Sequence, residues 1–233
     1  MTTTVLRRDD EGVVELLLNR PDRRNALTTE MLRLLRDELR AIRDSPDVRC
    51  VVMTGAGAGF CAGADLDELA GAPSPRPGLV RVRLVSEVVA LLSDLEQPTL
   101  AVVHGGAFGA GWGLALACDL TYAAADARFC LPEVAKGLRL PAAITARLVE
   151  VAGPVRAAEI VLGGEVHTVE AGLAGGWVAR VLPDHASALG LARDRAHGLA
   201  RQPRAAITHV KQVLRRTAAD TLTPPPEYAW NEE

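Results

Sequence analysis

The chain has 233 residues, a length that suits one large domain or a domain with a small appendage. With 48% hydrophobic and 24% charged residues it has the composition of a soluble globular protein, and its formal charge of -3 gives no electrostatic case for nucleic acid or an anionic membrane as partner. Aromatic residues make up only 3%, so Val, Leu and Ala must fill the interior. Cys50, Cys61, Cys118 and Cys130 form no CxxC pair and have no histidine at ligand spacing, which argues for reduced, buried thiols and against a metal or redox motif. The opening MTTTVLRRDDEG has no apolar signal stretch and no run approaches a membrane span, so a cytoplasmic protein is expected.

In chain order, TVLRR reads as a strand, DDEG as a polar turn and GVVELLLNR as a second strand in a hairpin-like pattern. NRPDRRN is a loop. Thr28 or Thr29 can cap a helix through MLRLLRDELRAIRD, where Leu32, Leu35, Leu39 and Ile42 recur at helical spacing. VRCVVMTG is apolar on both faces, as a central strand of a covered sheet must be. GAGAGFCAGADLDELAG is a glycine-rich junction leading to a helix near Asp65. APSPRPG, with its closely spaced prolines, predicts an exposed, weakly ordered connection. A helix over LVRVRLVSEVVALLSDLEQ stops before Pro98, and PTLAVVHG is another buried strand. VHGGAFGAGWGLALACDL is the second glycine-rich junction, with a helix from near Ala110. LTYAAADARFCLPE is strand and turn, and TARLVEVAG and PVRAAEIVLGG are helical. VEAGLAGGWVARVLP reads as a short helix, a turn and a strand. ALGLARDRAHGLARQ and RAAITHVKQVLRRTAAD are amphipathic helices, and TLTPPPEYAWNEE is a tail. This order predicts an α/β fold with a helical C-terminal portion.

Both glycine clusters directly follow an apolar strand and precede a helix. A helix start offers unpaired N–H donors and a partial positive charge, and glycine or alanine lets a ligand approach them. Two such donors from separate loops can form an oxyanion hole for a carbonyl oxygen. Phosphate binding is the competing use, but the alternating glycines miss the GxGxxG spacing, and GK[ST] is absent. Tight helix–sheet packing is the purely structural use of the same glycines.

FCAGADL, VHGGAFGAGWGLALACDL, ARFCLPEVAKGL and LNRPDRRNAL together resemble the crotonase superfamily, the enoyl-CoA hydratase/isomerase group, in order and spacing. The resemblance implies a crotonase-like spiral of ββα units (residues 1–185) and a helical C-terminal region (186–233, shortened) involved in trimerisation, with homotrimers or homohexamers. It implies an acyl-CoA thioester as substrate and no cofactor beyond its CoA moiety. By position, the hole donors are the amides of Ala64 and Ala110, and Gly109 is a contact of the CoA substrate. The CoA moiety would lie along Ala62, Gly63, Ala64, Asp65 and Leu66 and near Arg24, Ala26 and Leu27.

The hydratases of the group use two glutamates around one water. One follows proline, here Leu131-Pro132-Glu133; the other place is held by Gly113. Glu133 is therefore expected to be a single acid and base. That pattern favours isomerisation of a 3-enoyl-CoA to a 2-enoyl-CoA, with hydratase or lyase chemistry and a non-catalytic acyl-CoA-binding homologue as alternatives. A nicotinamide-dependent oxidoreductase rests only on glycine turns after strands. The group's PGAGGTQRL reads here as LPAAITARL, which borders the acyl pocket. His104 is expected to make a structural hydrogen bond, and Trp112 to pack in the core or bulk out the pocket. His167, His185, His197 and His209 are expected at the surface. Glu68 is a minor candidate to face the acyl chain, and Asp119 is expected to satisfy backbone groups.

Overall fold

The short apolar runs become strands. β1 (Val5–Asp10) and β2 (Val13–Leu18) form an antiparallel hairpin whose turn, Glu11-Gly12, has both residues at positive φ. The computed structural model describes residues 3–70 and 75–222. A 3-10 turn at Pro21–Arg23 leads to α1 (Thr29–Asp44), which Thr28 caps by accepting a hydrogen bond from Met31 N. Met31, Leu32, Leu35, Leu39 and Ile42 form its buried stripe.

β3 (Cys50–Gly55), buried at every residue, runs parallel to β2, and α2 (Leu66–Ala70) and α3 (Pro75–Asp94) follow. The expected proline-rich connection is corrected here: PRPG is the first turn of α3. Pro75 and Pro77 stand where helical N–H groups have no partner inside the helix, so their missing donors cost nothing. The preceding residues 71–74 lie outside the described residues.

From here the chain winds as a spiral. β4 (Thr99–Val103) enters the large sheet, β5 (Gly106–Phe108) a small one, and α4 (Ala110–Ala117) closes the turn. β6 (Leu120–Ala124), β7 (Arg128–Cys130) and α5 (Ala142–Ala152) repeat the pattern. Then come α6 (Pro154–Gly163), β8 (His167–Thr168), α7 (Val169–Ala174), β9 (Arg180–Leu182), α8 (His185–Ala200) and α9 (Arg204–Leu222). The large sheet has the order β1-β2-β3-β4-β6-β9, parallel after the hairpin, and the small sheet has the order β5-β7-β8.

Helices cover both faces of the large sheet, which is why its central strands show no alternation. α1, α3 and α4 bury one face, against Val14, Leu16, Val51, Met53, Ala101 and Val103. α8 covers the other, its Ala188, Ala192 and Ala196 lying on Val52, Leu100 and Val102. Alanines at i, i+4 and i+8 present a smooth stripe to the strands.

Asp119 accepts from the Thr99 backbone N at 2.8 Å and from its hydroxyl at 2.9 Å, satisfying backbone as expected. It also anchors α9, through Lys211 at 2.7 Å and Arg215 at 3.1 Å. Two histidines depart from expectation. His185 is half-buried and stacks on His104 with ring centroids 3.7 Å apart, its Nε2 lying 3.0 Å from Thr54 Oγ1. His167 packs beside Trp112 and Trp177. Neither had a periodic context, because their contacts come from elements distant in sequence. Among the described residues no helix is long and apolar enough to cross a membrane.

Candidate active site

The two glycine junctions lie side by side. Cys61 N donates to Gly106 O and Phe108 N to Cys61 O, both at 2.9 Å, making a parallel bridge between Cys61 and Ala107. Glycine is required at this seam. A Cβ on Gly63, which sits at φ +87°, would stand 2.5 Å from Phe108 O and 3.6 Å from Ala110 N. A Cβ on Gly111 would stand 2.8 Å from Cys61 Cβ. The glycines thus bring one bend onto the other, and the two donor loops converge.

Each bend leaves one N–H over. Leu27 N donates to Gly63 O at 2.8 Å and Asp65 N to Leu27 O at 3.0 Å, a parallel bridge that passes over the amide of Ala64. Ala110 opens α4, where Gly109 supplies no side-chain cap. Among the described residues, neither Ala64 N–H nor Ala110 N–H has a hydrogen-bond partner. Both meet the requirement of an oxyanion-hole donor: fixed by neighbouring bonds, yet unpaired.

Glu133 stands in the turn after β7, held by Lys136 N and Leu138 N, which donate to its carbonyl at 3.1 and 2.8 Å. Its carboxylate lies over Gly109, where a Cβ would come within 2.6 Å of Oε1. Gly109, at φ +52°, is therefore glycine for two reasons at once. Glu133 is only 8% exposed and its Oε2 has no hydrogen-bond partner. Burial pushes its carboxyl above the usual range, against weaker downward pulls from its own backbone and Lys136. A buried carboxylate with one oxygen unpartnered has a cost in stability, and such groups cluster at functional sites.

At Gly113 the neighbour is Ile144 of α5, whose Cγ1 lies 2.6 Å from where a Cβ would stand. Trp112 is 1% exposed and packs against Phe129 and Trp177 at 5.5 Å, so it belongs to the core.

A buried frame holds the first bend. Asn25, 0% exposed and at φ +56°, donates from Nδ2 to Ala56 O (2.8 Å), Gly59 O (2.9 Å) and Phe60 O (3.1 Å), and accepts from Arg20 N (2.8 Å). Its own carbonyl accepts from Cys61 Sγ at 3.1 Å, and burial pushes that thiol up to about 12. Asp65 is buried, pairs with Arg20 at 3.0 Å and accepts Glu68 N at 3.1 Å at the start of α2. Glu68, the minor acyl-chain candidate, accepts from Thr29 N at 2.9 Å and pairs with Arg81 at 2.7 Å, fastening α1, α2 and α3 together.

The residues matched to CoA divide. Leu27 is buried with both backbone groups engaged, and holds the Ala64 bend. Arg24 and Leu66 are exposed, and Ala26 and Ala62 are half-buried. Arg24 and Ala62 line an open groove of about 390 Å³ with Phe108, Asp126 and Arg128. Sequence reasoning missed Asn25 and Arg128, and placed the segment of Ile144 at the pocket without singling that residue out. Asn25 had a legible signal, since asparagine tolerates positive φ; Arg128 is brought in by tertiary contact alone.

This is an α/β spiral in which two free amides and one buried carboxylate converge. Residues 8–227 match the family model described as enoyl-CoA hydratase/isomerase. The chain is 34% identical over 225 residues to the 1,2-epoxyphenylacetyl-CoA isomerase of Escherichia coli K12, covering 95% of this chain and 86% of that one. It is 36% identical over 213 residues to the 2,3-dehydroadipyl-CoA hydratase of the same organism, covering 89% and 80%. The crystal structure of an enoyl-CoA hydratase from Mycobacterium smegmatis superposes with a TM-score of 0.87 at 30% identity, covering 97% of this chain and 86% of that one. The chain belongs to the enoyl-CoA hydratase/isomerase family of the crotonase superfamily, and is an acyl-CoA enzyme.

Proposed function

We propose that the chain isomerises a 3-enoyl-CoA to a 2-enoyl-CoA, with Glu133 as its single acid and base and the amides of Ala64 and Ala110 holding the thioester oxygen. The observation that carries this is the placement of Glu133. It is a buried carboxylate with a free oxygen, set over Gly109, one residue from the unpaired N–H of Ala110. The carboxylate takes a proton from C2 and the electron pair moves onto the thioester oxygen. The resulting dienolate collapses with a double bond between C2 and C3, and the Glu133 carboxyl returns the proton to C4. One well-placed hole donor contributes about 3–4 kcal/mol to such a step. The raised pKa of Glu133 brings its proton affinity nearer that of the acyl carbon.

The CoA moiety would lie along Ala62 to Leu66 and past Ala26, its phosphates near the guanidiniums of Arg24 and Arg128 in the groove. A cytoplasmic homotrimer or homohexamer belongs to the same reading: exposed Val155, Leu162, Val166 and Leu173 would be covered by a second copy. Hydration of a 2-enoyl-CoA is the second reading, favoured by the similarity to the 2,3-dehydroadipyl-CoA hydratase.

Glu133→Gln tests the assignment. Turnover should fall by roughly 10²–10⁴-fold. Stability should move the other way. A carboxyl with a raised folded-state pKa favours the fold below its unfolded pKa and costs stability once pH rises through the folded value. The variant should therefore melt higher than wild type at about pH 7 and equally at about pH 4. Wild-type turnover in the variant would sink the assignment.

A further inference from the structure

We propose that Ile144 sets reaction specificity, by filling the space over Gly113 with hydrocarbon so that no second polar group or ordered water can stand beside Glu133. The inference rests on the reading of Glu133 as the acid–base group. Gly113 N donates to Gly109 O at 3.0 Å, so Gly113 stands one turn beyond Gly109, the residue that precedes α4. Glu133 occupies the place over Gly109 and Ile144 the place over Gly113. The carboxylate and the aliphatic side chain thus cover two positions one turn apart at the start of α4.

Ile144 is fully buried, in the first turn of α5, its N–H bonded to Pro141 O at 3.0 Å. Nearby, Arg147 Nε donates to Leu116 O at 3.1 Å, close to the C-terminus of α4, which ties α5 to that helix. Beside Glu133 the exchange of a side chain on α4 for one on α5 has a definite chemical result. A water bound there needs two to four polar partners, and Ile144 supplies none. Ile144 has no polar group to offer the unpartnered Oε2 of Glu133 as a proton relay. A proton taken from C2 stays on the carboxyl until it is returned to C4, and no hydroxyl is available for addition at C3. Gly113 and Ile144 act as one unit. Glu placed at 113 alone would meet Ile144, so a second acid needs both positions changed.

The test has two arms, both on the full chain. In the first, wild type is run with a 3-enoyl-CoA in D2O for a single turnover, and deuterium at C4 of the product is measured by mass spectrometry. Retention of the substrate proton is expected; complete solvent labelling would overturn the inference, and this arm needs no variant. In the second, Ile144→Ala is compared with wild type for hydration of a 2-enoyl-CoA against isomerisation. The ratio should rise about tenfold, below the 10²–10⁴-fold that a positioned acid–base group contributes because only water and no second carboxylate is admitted, and solvent label should appear at C4. A folded variant with an unchanged ratio and unchanged labelling would overturn the role of Ile144. Failure of the underlying reading looks different: Glu133→Gln would then keep its turnover, whatever Ile144 does.

Discussion

Removing the Asn25 side chain should loosen the first donor bend, and the size of the effect follows from its contacts. Two Nδ2 protons are shared among the carbonyls of Ala56, Gly59 and Phe60, and Oδ1 takes the N–H of Arg20. Asn25→Ala deletes the equivalent of three buried hydrogen bonds, at about 1 kcal/mol each. It also puts alanine at φ +56°, which adds about 1 kcal/mol. The expected loss is about 4 kcal/mol, a large share of the roughly 5–15 kcal/mol that holds a typical domain. Asn25→Gly separates the two contributions: it tolerates the positive φ, so it should lose about 3 kcal/mol. Because the residues from Ala56 to Phe60 lead directly to Ala64, kcat for a 3-enoyl-CoA should fall by about a hundredfold in either variant, with a smaller change in KM. Denaturant melts and steady-state kinetics on the three proteins decide the matter. If Asn25→Ala melts within about 1 kcal/mol of wild type and keeps its kcat, the bend is held by something else and the reasoning is wrong.

Gly109→Ala would bring a Cβ to 2.6 Å from Glu133 Oε1 at a backbone φ of +52°, so kcat should fall about a hundredfold while acyl-CoA binding, read by calorimetry, persists. Arg24→Ala and Arg128→Ala should each raise KM for an acyl-CoA about tenfold and leave KM for the matching acyl-pantetheine unchanged, because only CoA carries the phosphates; equal effects on both substrates would remove the groove from the binding site. Burial lowers the pKa of His104, and burial together with the His104 charge lowers that of His185, with Asp126 and Glu15 opposing and Arg193 reinforcing the shift at His185. Groups with lowered folded-state pKa values stabilise the neutral pair above the ordinary histidine pKa, and that stability is lost as pH falls through it. The melting temperature of wild type should therefore drop more between about pH 7 and pH 5.5 than that of His185→Gln; parallel slopes would show that the stacked pair does not titrate with unfolding.

How much of this was written in the sequence depends on the range of the interaction. The α1 stripe, its Thr28 cap and the fully apolar β3 were legible because helix and strand periods act between residues a few positions apart. The two glycine junctions marked both bends, because glycine clusters after strands announce themselves in composition, whereas LPE pointed to Glu133 only through the resemblance to the crotonase superfamily. The helical reading of PRPG was missed, since proline is a breaker everywhere except in a first turn, and only the position of the helix start says which applies. Why each glycine is glycine lay beyond the chain's own order. Gly63 faces Phe108, Gly109 faces Glu133 and Gly113 faces Ile144, pairs that only the spiral brings together. Sequence thus determined which peptides could donate and which acid could act. Tertiary packing decided that the two bends meet, that the acid is desolvated, and that hydrocarbon fills the place over Gly113, because volume exclusion between distant segments exists only once they are folded against each other.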